Sequence, residues 1–147
     1  KLVGTWFKEG NNGFGSTGGQ ASSPWRAHLS FAYDSLDPSM LIISVGDWGG
    51  QSEQFAVKGN APDPAKIGQG ELTKYELVQA DYYRASTNQA WDRTRPYTDI
   101  KGRPGSYVKG TVLVQLTAQR KLKFQTFPGK TGSEVTDFTN SAIVYER

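Results

Sequence analysis

Apolar and polar residues alternate along most of this chain with a period of two, the repeat of β-strands. Over 107–117, Val108, Val112, Val114 and Leu116 oppose Thr111, Leu113, Gln115 and Thr117. A tight turn at 118–120 follows. Alternation then resumes over 121–127, with Leu122, Phe124 and Thr126 opposite Lys123, Gln125 and Phe127. Two alternating runs joined by a short polar turn predict a hairpin. Over 25–33, Trp25, Ala27, Leu29, Phe31 and Tyr33 fall on one face of a predicted strand, and Arg26, His28 and Ser30 on the other. Further strands are predicted at 2–7, 40–45, 54–58 and 142–145. Residues 71–83 fit either period, and their Thr, Tyr and Val content favours strand. Residues 10–23 and 59–70, rich in Gly, Ser, Asn and Pro, are loops. Residues 84–105 form a long excursion with two prolines and a helical turn near Ala90 and Trp91.

About eight strands and no long helix predict an all-β chain. The reading is a single domain over 1–147, an antiparallel β-barrel of about eight strands. A β-sandwich is the alternative, because it uses the same alternation. No apolar run approaches the ~20 residues that span a bilayer, so a soluble protein with no membrane span is expected.

Composition removes several chemistries. There is no cysteine, hence no disulfide, thiolate metal site or cysteine nucleophile. The one histidine, His28, cannot supply a zinc site, and no G-x-S-x-G elbow exists. Residues Gly13 to Gly18 match G-x-G-x-x-G, but Gly19 to Pro24 does not read as the helix that fingerprint requires. Asp34, Asp37 and Asp63 are ordinary turn formers. No catalytic residue, metal or cofactor is therefore expected.

Charge is unevenly placed. The net charge is +3, yet residues 84–123 hold nine cations against Asp92 and Asp99. Tyr82, Tyr83, Arg84, Trp91, Arg93, Arg95 and Tyr97 interleave rings with cations there. Rings and cations together suit single-stranded nucleic acid, but the cations are spaced rather than clustered. Charge runs are usually solvated faces, so the first expectation is a solvated loop pinned to the core by Trp91, and the binding alternative is an acidic protein or glycan partner. Trp25 and Trp48 are further candidate ligand walls. Trp48 lies in Gly46-Asp47-Trp48-Gly49-Gly50, where glycines leave its ring uncovered.

The opening Leu2-Val3-Gly4-Thr5-Trp6 resembles the Gly-x-Trp signature of the calycin superfamily, which includes lipocalins, fatty-acid-binding proteins, avidins and nitrobindin-like proteins. Residues Val135 to Tyr145 are similar to the lipocalin Thr-Asp-Tyr segment and its following strand. The resemblance implies a barrel, with Gly4 and Trp6 structural at one end of it. Little chain follows Tyr145 for the helix and closing arginine of typical lipocalins. The late histidine through which the nitrobindin group holds haem has no counterpart.

The leading functional expectation is a non-catalytic protein that binds a small hydrophobic or amphipathic molecule inside the barrel. Trp25, Trp48, Tyr82, Tyr83, Arg84, Trp91 and Arg93 would line its mouth. The alternative is an exported structural or interaction subunit, or surface protein, that binds through its long loops; a barrel-fold enzyme comes third. A secreted or periplasmic location is expected, since exported bacterial proteins often lack cysteine and the Lys1-Leu2-Val3 start reads as a processed one.

Overall fold

Alternation puts one apolar row on the same side of eight strands, and that side closes on itself. The computed structural model describes residues 1–11 and 24–147. The glycine motif at 13–18 lies outside the described residues. The strands are β1 (Gly4–Lys8), β2 (His28–Tyr33), β3 (Leu41–Trp48), β4 (Gln51–Val57), β5 (Leu72–Val78), β6 (Ala80–Arg84), β7 (Ile100–Pro104), β8 (Gly110–Ala118), β9 (Lys121–Pro128) and β10 (Ile143–Glu146). Eight of them form a closed barrel in the order β1-β10-β9-β8-β5-β4-β3-β2, every pair antiparallel. β6 and β7 form a separate two-stranded sheet, here called the flap, inserted between β5 and β8.

Register shows what fills the barrel. Leu29 faces Val45, Ile43 faces Phe55, Tyr75 faces Val112, Val114 faces Phe124, and Leu122 faces Tyr145. All are buried and belong to one core cluster with Trp6, Phe31, Val57 and Leu77. Phe31 contacts Tyr75 and Phe124, and Phe124 contacts Tyr145, with ring centres 5.7–6.4 Å apart. An eight-stranded barrel is just wide enough for its own side chains to fill, and these do. Thr73, opposite Val114, is the polar member of the inner row. It is buried, and its hydroxyl has no hydrogen-bond partner among the described residues.

A tryptophan sits at each end of the barrel. At the end where β1 begins, Trp6 is buried and its Nε1 donates to the Leu2 carbonyl at 2.8 Å. The Leu2 amide donates to the Pro64 carbonyl, and the Tyr75 hydroxyl to the Pro62 carbonyl, tying the 59–70 loop across this end. Arg147 does reach the Trp6 ring. Its guanidinium lies 4.1 Å from the ring centre and donates to the carbonyls of Val3 and Lys1. At the other end, where β3 finishes, the Trp48 ring packs on Phe55 at 4.7 Å and over Gly110. A Cβ on Gly110 would meet the Trp48 ring at 2.5 Å, so only glycine admits the tryptophan there. A Lys8–Asp47 ion pair, 3.6 Å long, stands at the same rim.

The outer wall has two coverings. Met40, Ile42, Ala56 and Val78 form a second apolar cluster, packed against Ala80 and Tyr82 of the flap and Val108. Outside β8 and β9, the chain between β9 and β10 lies across the wall. The Lys130 carbonyl accepts from Thr111, Gln125 and Thr139 exchange two hydrogen bonds, and Val135 is buried.

Three local expectations change. The strand expected over 25–33 begins only at His28, because Pro24–Ala27 is a 3-10 turn. Trp25 therefore leaves the alternation and is 52% exposed. Residues 71–83 are strand, but they break at Gln79 into a barrel strand and a flap strand. The excursion over 84–105 contains β7, and no helical turn forms at Ala90 and Trp91. Ala90 instead bridges to Tyr83, and the Trp91 amide donates to the Tyr82 carbonyl, because the chain folds back along β6.

Candidate functional site: the basic flap

The flap is anchored by close backbone approach and by two carboxylates. Tyr82 pairs with Gly102, Arg84 with Ile100, and Tyr83 with Lys101. Strand parity sends Ala80, Tyr82 and Ile100 toward the barrel and Asp81, Tyr83, Lys101 and Arg103 away from it. Gly102 rests on the Met40 side chain, where a Cβ would meet Cε at 2.7 Å. The Gly102 amide donates to Asp37 Oδ2 at 2.8 Å, while Asp37 Oδ1 accepts from the Ser39 hydroxyl and amide. These donors, Ser39 first and Gly102 next, hold the Asp37 carboxyl below its usual range. The Tyr82 hydroxyl donates to Asp34 Oδ2 at 2.5 Å. Burial and then this bond push the phenol up to about 12. Asp34 and Asp37 form the β2–β3 turn, as their sequence suggests, since Asp34 Oδ1 accepts from the Leu36 and Asp37 amides. They also latch the flap.

Three arginines lie on three tyrosines. The Arg84 guanidinium is 3.7 Å from the centre of the Tyr97 ring, Arg103 is 4.0 Å from that of Tyr83, and Arg93 is 5.1 Å from that of Tyr82. Such pairs hold a guanidinium flat on a ring and leave its N–H edges for other acceptors. Arg103 uses one edge on the Asn88 amide oxygen at 2.7 Å. Arg84 is ion-paired with Asp99 at 3.3 Å. Asp99 also accepts from the Ser86 hydroxyl and amide, and these bonds with Arg84 lower its carboxyl to about 2. Arg93 is held at a φ of 68°, in the left-handed region, within a turn stabilised by Asp92 and Thr94. Trp91 meets Tyr82 edge-on at 6.0 Å and donates to the Arg95 carbonyl.

The structure thus brings together five of the seven residues expected to touch a ligand: Tyr82, Tyr83, Arg84, Trp91 and Arg93. It places them on the flap, outside the barrel wall, rather than around a barrel mouth. Trp48 closes one end of the barrel and is half-buried, which replaces the expected uncovered ring. Trp25 stands on the outer wall beside β3. His28 is exposed, with its ring edge-on to Phe7 at 4.9 Å. Among the described residues no group of three His, Cys, Asp or Glu side chains could hold a metal ion. No helix of the described residues is long and apolar enough to cross a membrane. Sequence reasoning missed Arg103 as the partner of Tyr83 and both latch aspartates. Pairing of β6 with β7 unites Arg103 and Tyr83, and the short run Ile100–Pro104 carries no alternation that would announce that pairing. The closed antiparallel barrel is compatible with a calycin-like fold. No family model matches the chain, and neither the curated proteins nor the solved structures contain a match to it.

Proposed function

We propose that this protein is a non-catalytic binding module in which a side-chain-filled barrel carries a basic flap that recognises an acidic glycan. The observation behind this reading is the set of three guanidiniums laid on tyrosines, of which only Arg84 is ion-paired among the described residues. Because the interior is packed with its own side chains, this reading seeks the ligand on the outside of the barrel. A guanidinium fixed on a ring has lost much of its freedom before any ligand arrives, so each new bond to a carboxylate or sulfate costs less entropy. Those guanidiniums also cover ring faces on which a nucleobase would stack, so the flap offers charge without an open stacking platform. The exposed ring of Tyr107 at the base, which carries no guanidinium, leaves apolar surface for a sugar ring. A glycan of this type is extracellular chemistry, in keeping with an exported protein.

The test is binding to an immobilised, heparin-type sulfated glycan, with poly-glutamate and oligo-dT as competitors. Binding should weaken steeply between about 50 and about 300 mM salt. It should fall by about tenfold or more in the Arg93→Gln/Arg103→Gln double variant. Failure to bind the sulfated glycan, or stronger competition by poly-glutamate or oligo-dT than by the glycan itself, would overturn the proposal.

A further inference from the structure

The outer face of β1–β5 carries two neighbouring rows of opposite character. Register sets Ala32, Ile42, Ala56 and Val78 side by side across β2 to β5, and the flap covers the last three of them. Two residues further along each strand, Thr5, Ser30, Ser44 and Gln54 stand directly opposite one another across β1 to β4. This second row floors a cleft of about 420 Å³. One flank of the cleft is the Pro24–Ala27 turn, which brings Trp25, 52% exposed, against it. The turn sits close because β3 has Gly46 beneath it, where a Cβ would meet the Trp25 carbonyl oxygen at 2.0 Å. His28, Val45, Ser52 and Glu53 also belong to the lining.

An outer strand face that needs only solubility is ordinarily built from charged side chains. Here four short polar groups form a line, spaced by the ~4.8 Å between strands. Each can both donate and accept a hydrogen bond. The demand matches a molecule with hydroxyls along its edge and an apolar C–H face, which would lie on the indole. Charge narrows the class. Among the described residues the lining has no lysine or arginine to pair with a carboxylate or sulfate, so it suits an uncharged sugar better than an acidic one.

We infer that this cleft binds an uncharged sugar, a pyranose ring lying on Trp25 with its hydroxyls against Ser30, Ser44 and Gln54. The inference rests on a different wall from the flap and stands without it.

An array of neutral hexasaccharides built from glucose, N-acetylglucosamine, galactose, mannose or xylose tests it, followed by calorimetry with the best binder. At least one should bind. Trp25→Ala and the Ser30→Val/Ser44→Val double variant should each bind it about tenfold or more weakly, with thermal melting close to that of the parent. The Arg93→Gln/Arg103→Gln variant should bind it unchanged, and Trp25→Ala should retain whatever affinity the parent has for sulfated glycan. Absence of any neutral binder, or unchanged affinity in both cleft variants, overturns the inference. If Trp25→Ala loses its fold, the serine variant decides alone.

Discussion

Inside the barrel, Trp6, Tyr75 and Tyr145 are enclosed by aliphatic and aromatic neighbours, and the polar tips of Trp6 and Tyr75 are satisfied by backbone carbonyls. In the flap, Tyr82, Tyr83 and Tyr97 carry guanidiniums on their rings, and the sheet is held down by Asp34 and Asp37. The barrel uses its aromatics as volume. The flap uses them as seats for charge. The difference teaches which part of the molecule answers to solvent conditions: burial of apolar area is largely indifferent to protons and salt, whereas a carboxylate latch is not.

The comparison is broken most forcefully from the barrel side. Trp6→Ala empties the largest fully buried side chain from the core and strands Arg147. A loss of about 3–5 kcal/mol is expected, which lowers the melting temperature by on the order of 10 °C in a domain of this size. Differential scanning calorimetry checks it, and a melting point within about 2 °C of the parent would contradict the packed-core account.

The next effect belongs to the latch. Asp37→Ala leaves the Gly102 and Ser39 amides without their acceptor, a cost of about 1–3 kcal/mol. Hydrogen exchange should quicken at Gly102 and through β6 and β7 while β8 and β9 keep their protection. Acid should act in the same direction. The folded Asp37 carboxyl titrates below its ordinary 3.8, so its stabilisation is present above that pH and is lost as pH falls through the lower folded value. Flap exchange should therefore rise below about pH 3.8, before barrel exchange does. The alkaline side does not separate the two regions. Tyr82 in the flap and Tyr75 and Tyr145 in the barrel are all raised, chiefly by burial, so each loses stabilisation as pH climbs above 10.

The smallest expected change sharpens the comparison in the opposite sense. Thr73 brings a polar atom into the apolar interior with no hydrogen-bond partner among the described residues. Thr73→Val keeps the shape and removes that atom, and should stabilise the protein by about 1 kcal/mol. Urea denaturation measures it directly. A destabilised variant would mean that the Thr73 hydroxyl is satisfied after all.

The barrel was legible in the sequence wherever one face of a strand is wet and the other dry. The hairpin of β8 and β9 was visible from alternation alone, because both strands keep polar residues outward at Gln115, Lys123 and Gln125 while Val112, Val114, Leu122 and Phe124 point in. The Gly-x-Trp start tilted the reading toward a barrel over a sandwich, and the strands do close. The flap residues were visible as a list but not as a surface. Ile100–Pro104 contains a glycine and a proline in five residues, so periodicity could not show it as a strand. Its pairing with β6 is what seats Arg103 on Tyr83. Trp25 was misplaced because Ala27, Leu29, Phe31 and Tyr33 continue its alternation although the strand starts only at His28. The polar row from Thr5 to Gln54 could not be read at all, since it exists only once four strand registers are known.

The flap leaves and re-enters the ring of strands at neighbours. Leu77 is paired with Gly110, and the Leu77 carbonyl accepts from the Lys109 amide at 2.8 Å. To the barrel, everything between them is one hairpin loop, and the entropy of closing a loop grows only slowly with its length, by about 0.6 kcal/mol per doubling. The barrel can thus tolerate substitution, lengthening or replacement of that insert with little effect on its own closure. Closing the ring and building the flap thus fall to separate stretches of the chain, so this ring is a natural acceptor for grafted inserts.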